Sequence, residues 1–403
     1  MKVFISGICG TGMGPLAIMA KEAGMEVFGS DLSRGAVYDE LVKAGIQVKI
    51  GEQDGEFLDE VKPEWYVHTS AITEDNVEFQ RAKELRIKIS KRDELIAELI
   101  REMGLKLIAV AGTHGKTTTT AMIIWACHKL GIPISYLVGT TLSFSESGKY
   151  TKGSEFMVYE ADEYDRNFLH FSPWLAVETV VDYDHPDIYP TRESYRQAFK
   201  EFEGQSRKIV HAEDYKGEKF RLAGTVRRVD AALAFLAVRE MKPEVDATQL
   251  VEILNEFPGA GRRFEKIAEG VYSDYGHHPE EIRATVEMAK EEASLRGLSG
   301  VVAVYEPHQN TRQHEVFAEY REAFLGISKL YWLPTFLTRE NPKLSVISPD
   351  EFIASLENSA VGEVAELGDA LAEKLHKWRE QGYLILLMSA GPADGWLRKE
   401  FNE

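Results

Sequence analysis

Cysteine is scarce in this sequence: among 403 residues only Cys9 and Cys127 carry a thiol, too few for more than one bridge. Such usage belongs to a reducing compartment and excludes a disulfide scaffold or a zinc ribbon. Long apolar runs are missing as well. None approaches the ~18 residues that a bilayer-spanning helix requires, and the longest candidate, 383–388, reads as a buried strand. Clusters of Lys and Arg are also lacking. With 47 basic against 65 acidic residues the net charge is −18, which repels a phosphate backbone or an anionic membrane surface. No nucleic acid and no membrane is therefore expected as a partner. Tandem short repeats and low-complexity tracts are absent. The apolar stretch from Met1 to Ala20 imitates a signal peptide, but Gly7, Gly10, Gly12 and Gly14 interrupt it. It reads as folded chain, and the cytoplasm is the expected compartment.

What is present is an ordinary globular composition, 44% hydrophobic and 28% charged, over a length that gives two to three domains at ~150 residues each. Short apolar runs alternate with amphipathic segments, the pattern of an α/β fold with parallel strands and helical crossovers. Strands are expected at 2–6, 26–29 and 65–70, with helices at 15–23 and 93–103 and a first boundary at Gly104. A second unit opens with a strand at 106–111, a glycine turn and a helix at 117–130 ending at Gly131, followed by strands at 156–159 and 175–181. It fades near Phe257-Pro258-Gly259, a linker composition. A third unit alternates strands at 271–273, 301–305, 329–333 and 383–388 with helices at 279–293, 313–324 and 370–378.

Gly112-Thr113-His114-Gly115-Lys116-Thr117 lies between a strand and a helix, with Thr118 next in line. A phosphate-cradling loop requires that setting: small residues let backbone N–H groups approach, while Lys116 and the helix amino terminus supply positive charge. Thr117 offers a hydroxyl to magnesium. The match to G-x-x-x-x-G-K-[ST] departs at Val110, where the first glycine is expected. The earlier turn, Gly7-Ile8-Cys9-Gly10-Thr11-Gly12, is spaced G-x-x-G-x-G and does not satisfy the dinucleotide pattern. A tight turn without ligand and a diphosphate on a helix amino terminus both fit it. Asp31 can accept from a ribose or from backbone amides.

Glu160-Ala161-Asp162 closes one strand of the second unit and Asp182-Tyr183-Asp184-His185 the next. Ligands of open parallel sheets sit outside the carboxyl ends of strands, so Lys116, Glu160 and His185 are expected to converge. A carboxylate, a threonine hydroxyl and phosphate oxygens suit Mg²⁺, and His185 is either a second magnesium ligand or a loop cap. In the third unit Arg262-Arg263 is either a solvated pair or places an arginine on a transferred phosphoryl group. Arg312, after Glu306-Pro307-His308, can hold a small carboxylate.

Together these motifs resemble those of the Mur ligase family, the ATP-dependent amide ligases of peptidoglycan synthesis. The matching residues are Gly7 to Gly14 with Gly29-Ser30-Asp31, Thr69-Ser70-Ala71-Ile72, Ala109 to Thr119, Glu160 to Glu163, Asp184-His185, Gly261 to Phe264, Asp274 to Pro279, and Pro307-His308 with Thr311-Arg312. They keep the family's order over nearly the whole chain. The resemblance implies three domains: a Rossmann-like UDP-sugar domain at 1–104, a central P-loop ATPase with a mostly parallel sheet at 105–259, and a Rossmann-like amino-acid domain at 260–403. It implies ATP and Mg²⁺ as cofactors, and UDP-N-acetylmuramate and L-alanine as substrates joined through an acyl phosphate. By the same resemblance Gly112 to Thr118 surround the phosphates with Lys116 on the β and γ groups, Thr117 and Glu160 hold one Mg²⁺, and His185 holds a second. Arg263 would contact the γ-phosphate and Asp274 the ribose. Gly10, Thr11, Gly12, Asp31, Thr69 and Ser70 would serve the UDP sugar, and Tyr275, His277, His308 and Arg312 the amino acid. A monomer or weak homodimer is expected.

The chain departs from the family in three places. Val226-Arg227-Arg228-Val229-Asp230 stands where relatives carry His-Asn and a later Asn that hold adenine. The stretch from His185 to Arg227 is short, and Gln309 replaces an arginine beside His308. Two alternatives remain open: a recycling ligase that attaches a tripeptide to the same sugar, and a nucleotide-binding regulatory module that has lost catalysis. Retention of Lys116, Glu160, His185 and Arg263 argues against the second.

Overall fold

The computed structural model describes residues 1–401 other than 11, 36, 70, 71, 184, 186, 187, 338, 339 and 342. Among them, strands form three sheets. The first contains β1 (Lys2–Ser6), β2 (Glu26–Asp31), β3 (Gln47–Ile50), β4 (Trp65–His68) and β5 (Lys88–Lys91), ordered β3-β2-β1-β4-β5 and parallel throughout. The second contains β6 (Lys106–Ala111), β7 (Ile134–Leu137), β8 (Gly148–Lys149), β9 (Phe156–Glu160), β10 (Leu175–Glu178) and β11 (Ile209–Val210), ordered β11-β10-β6-β9-β7-β8. The third contains β12 (Glu265–Ala268), β13 (Val271–Asp274), β14 (Gly300–Glu306), β15 (Lys329–Trp332), β16 (Gly362–Val364) and β17 (Tyr383–Ser389), ordered β12-β13-β17-β14-β15-β16. Among these strands of the described residues, only β7 with β8 and β12 with β13 pair antiparallel.

The central strands read as continuous apolar runs because helices cover both faces of a parallel sheet; β6 and β17 are buried over all but their first residue. The expected strand at 175–181 stops at Glu178, because Val180 turns its carbonyl to the phosphate loop and accepts from Thr113 N (2.7 Å) and His114 N (3.3 Å). The helix expected at 313–324 starts earlier and breaks into an α-helix, Asn310–Val316, and a 3₁₀ turn, Phe317–Glu322. Asn310 is what moves the start: its buried amide side chain donates to Ser345 O and accepts from Ile347 N.

Packing divides the chain into two compact units, Met1–Glu218 with Val229–Phe257, and Lys219–Arg228 with Pro258–Glu403. Within the first, the sheets share a core that includes Leu16, Leu95, Ala109 and Phe168. Within the second, the short segment is fastened to helix Pro279–Leu295, where Glu291 accepts from Gly224 N (2.7 Å) and Arg228 Nη1 (2.6 Å). That helix opens with Pro279 at its first position and a reciprocal cap between His278 and Glu281, which satisfies otherwise orphaned amides. Both thiols are free and buried. Among the described residues no helix is long and apolar enough to cross a membrane.

Candidate active site

The phosphate-type loop follows β6 directly. Gly112 has φ +143°, and a Cβ there would lie 2.0 Å from Thr179 Oγ1; at Gly115, φ +88°, a Cβ would meet Asp230 Oδ1 at 2.5 Å. Only glycine fits both backbone and space. Thr113 pins the loop further, its hydroxyl donating to Asp182 O (2.6 Å) and pairing with the Tyr195 hydroxyl (2.7 Å). The left-handed Gly115 starts helix Lys116–Leu130, one residue before the expected start.

Lys116 Nζ folds back over this loop, donating to Gly112 O and to Glu163 Oε2, each at 2.6 Å. Glu163 is 1% exposed, and burial pushes its carboxyl above the usual range while Lys116 pulls it back. Its other oxygen lies 3.6 Å from His185 Nε2, so Glu163 links Lys116 to His185. Beside this pair Thr117 Oγ1 donates to Glu160 Oε1 at 2.7 Å, and Gly139 N donates to Glu160 Oε2 at 3.1 Å. Of the three residues expected to converge, Lys116 is joined to His185 through Glu163, and Glu160 stands next to Lys116 through Thr117. The Thr117–Glu160 pair fits Mg²⁺, which needs only one or two protein oxygens and takes the rest from water and phosphate. Asp230, buried beside the loop, accepts from Thr119 Oγ1 at 3.2 Å.

A cavity of about 250 Å³ is lined by Gly12, Arg92, Lys116, Gly139, Tyr159 and Glu160, so the first glycine turn and the phosphate loop face one space. Gly12 leaves room for the Arg92 guanidinium, since a Cβ there would stand 2.6 Å from Arg92 Nη1 and the guanidinium would have to shift. Arg92 opens helix Arg92–Glu102 and reaches the Tyr159 hydroxyl at 3.3 Å, which in turn donates to Asp93 Oδ1 at 2.7 Å. The sequence reading assigned nothing to Arg92, Tyr159 or Glu163. Arg92 directly follows a strand end, the one signal available for it; Tyr159 reads as core.

In the first turn, Gly7 N and Ile8 N donate to Ser30 O at 2.8 and 3.1 Å. Asp31 takes backbone amides, Cys9 N on Oδ2 at 2.9 Å and Ser33 N on Oδ1 at 3.4 Å. Gly10 N donates to Gly7 O at 3.1 Å, and Thr69 packs beside Gly7. Thr11, Ser70 and Asp184 lie outside the described residues. At the carboxyl ends of β1 and β2 the buried Glu78 carboxylate accepts from the Ser6 and Ser30 hydroxyls at 2.6 and 2.7 Å, a polar knot that sequence reasoning missed.

In the second unit, both oxygens of Asp274 are engaged, by Phe264 N (2.8 Å) and Gly276 N (2.7 Å), and burial raises its carboxyl. Arg262 and Arg263 are not a solvated pair: Arg262, at φ +54°, turns inward onto Ser389 O and over the Tyr275 ring, whereas Arg263 is exposed. Tyr275, His277, His308 and Arg312 do assemble. The His277 and His308 rings are 5.8 Å apart, His277 Nδ1 is 3.1 Å from Tyr275 O, and Arg312 Nη1 lies 3.3 Å from His308 Nδ1. Burial, reinforced by Arg312, holds both imidazoles below the ordinary histidine range. Arg227 lies over the Phe264 ring at 5.5 Å.

Comparison with known proteins gives a consistent result. Three sequence profiles match in succession: "Mur ligase family, catalytic domain" over residues 3–103, "Mur ligase middle domain" over 110–237, and "Mur ligase, glutamate ligase domain" over 262–391. The UDP-N-acetylmuramate–L-alanine ligase of Carboxydothermus hydrogenoformans is 31% identical over 451 residues, covering 97% of this chain and 94% of its own. The enzyme of that name from Campylobacter jejuni subsp. doylei is 30% identical over 423 residues, covering 93% and 95%. Among solved structures, the UDP-N-acetylmuramate–alanine ligase of Thermotoga maritima superposes with a TM-score of 0.76 at 23% identity, covering 100% of this chain and 98% of its own.

Proposed function

Since the chain belongs to the Mur ligase family, we propose that it is the ATP-dependent ligase that joins L-alanine to the lactyl carboxylate of UDP-N-acetylmuramate, releasing ADP and phosphate. The observation that carries this reading is the cavity shared by Gly12 and Lys116: it lets a carboxylate delivered from the first turn meet the phosphate end of ATP.

In this reading the domains run 1–104, 105–259 and 260–403. The Gly112 to Thr118 loop cradles the nucleotide phosphates, and Lys116 exchanges Glu163 for the β and γ groups. Thr117 and Glu160 would hold a Mg²⁺, with His185 serving a second; such an ion, when bound, would supply neutralisation of charge on the transferred phosphoryl group. Arg263 contacts the γ-phosphate and Asp274 the ribose. Gly10, Thr11, Gly12, Asp31, Thr69 and Ser70 serve the UDP sugar. The lactyl carboxylate oxygen bonds to the γ-phosphorus as ADP leaves, and the amine of L-alanine then attacks the acyl carbon. The tetrahedral intermediate collapses to amide and phosphate. Arg312 binds the alanine carboxylate beside Tyr275, and the neutral imidazoles of His277 and His308 can take the proton that the amine loses. The enzyme works in the cytoplasm as a monomer or weak homodimer.

The test is phosphate release from ATP and Mg²⁺ with UDP-N-acetylmuramate and a panel of amino acids plus the tripeptide. Release dependent on L-alanine is expected. Release with the tripeptide alone would assign the chain to the recycling ligases, and no acceptor-dependent release would leave it a nucleotide-binding module.

A further inference from the structure

Three neighbouring strands of the third sheet send their carboxyl ends toward one aromatic ring. Beyond β15 the chain reaches Phe336, whose N–H donates to Pro307 O at 2.8 Å; Gln309 N donates back to Phe336 O at 3.0 Å. These two bonds clamp the loop after β15 to the turn after β14. Gln309 holds its place at φ +62°, a left-handed conformation that costs a non-glycine residue energy and tends to persist at functional sites. The Phe336 ring lies against His308, 5.9 Å between centroids and 27° between planes. From the β17 side, a Cβ at Gly391 would stand 2.8 Å from Phe336 Cγ, so the absence of a side chain there makes room for the ring.

Phe336 is therefore anchored on two sides and yet 37% exposed. A fixed apolar face left in water beside charged groups is the arrangement of a pocket wall, in which a few polar groups orient a ligand and apolar surface selects its shape. His308, which this ring touches, is also the neighbour of Arg312 and of His277. One imidazole thus has a cation for a carboxylate, a second imidazole facing an amine, and an apolar wall arranged around it.

We propose that Phe336 is the specificity-determining residue for the incoming amino acid: its ring faces the substituent on the α-carbon and admits hydrogen or methyl while excluding branched side chains. The proposal rests on the ligase reading above. With the carboxylate on Arg312 and the amine toward the imidazoles, a methyl group buries its surface against the ring. A branched side chain must push the ring off His308 and strain the clamp between Pro307, Gln309 and Phe336.

The experiment compares the full-length protein with Phe336→Ala and Phe336→Leu, measuring phosphate release at saturating ATP and UDP-N-acetylmuramate with glycine, L-alanine, L-2-aminobutyrate and L-valine. Phe336→Ala is expected to raise the kcat/KM ratio of L-valine to L-alanine at least tenfold, the scale of one or two methylenes in an apolar pocket. The change should sit mainly in KM for the amino acid, with KM for ATP and for the UDP sugar within twofold of the parent, and Phe336→Leu should fall between. Thermal melts establish that each variant folds, and Phe336→Leu decides the matter if the alanine variant does not. An unchanged preference in the folded variants overturns the assignment of Phe336 and leaves the ligase reading standing. Absence of amino-acid-dependent release from the parent overturns both.

Discussion

Glu163 occupies the ammonium that the proposed reading assigns to the nucleotide, so Lys116 rests paired and only lightly exposed. Lys116→Ala should lower turnover by roughly 10²–10³-fold or more, the scale for removing one preorganised donor, while calorimetric affinity for the UDP sugar stays nearly intact because the first glycine turn is untouched. Equal loss of both would contradict that partition. Glu178 offers a pH-dependent counterpart. Burial, with Glu203 and Glu213 nearby, pushes its carboxyl from the ordinary 4.5 to about 8, and His211 Nδ1 lies 3.5 Å away. A raised folded-state pKa contributes stability below about 4.5 and loses it as pH rises through about 8. Glu178→Gln should therefore melt several degrees above the parent at pH 8.5, with the difference vanishing near pH 4.5. At this scale the sequence made Lys116, Thr117 and Glu160 legible, because one short motif and one strand end carry them. Glu163, Arg92 and Glu78 stayed illegible: their meaning lies in partners 47, 67 and 72 residues away.

The glycine turn after β6 is the element on which the proposed phosphate site depends. Gly112→Ala would place a methyl on Thr179 Oγ1 at a backbone conformation that L side chains rarely adopt, costing about 1–3 kcal/mol. The expected outcome is a melting temperature lowered accordingly and at least a tenfold loss of ATP affinity by calorimetry, with UDP-sugar binding retained. Elements with long apolar runs, β6, β14 and β17, are readable from sequence because the parallel sheet buries both of their faces. Short strands such as β8, β11 and β16, two or three residues each, carry no periodicity to read. They exist through the register of neighbours already in place. The early start at Asn310 belongs to the same class, since it depends on bonds to Ser345 and Ile347.

Across the whole molecule a charge of −18 opposes two polyanionic substrates, which in the proposed reading the Lys116 loop, Arg263 and helix amino termini draw in locally. Screening this field should help: raising ionic strength from about 0.01 to about 0.15 M shortens the Debye length from about 30 to about 8 Å. The KM for UDP-N-acetylmuramate is expected to fall about twofold over that range; a steady rise would show that local cations dominate. The packing of residues 219–228 against the second unit has a consequence for biosynthesis. As the chain emerges, Arg228 appears 63 residues before Glu291, its partner, while residues 229–257, made in between, belong to the first unit. The second unit therefore cannot close as its own stretch is being translated from one end to the other. Its earliest piece must wait for a helix made later, and a fragment cut out at residue 258 would leave that piece behind.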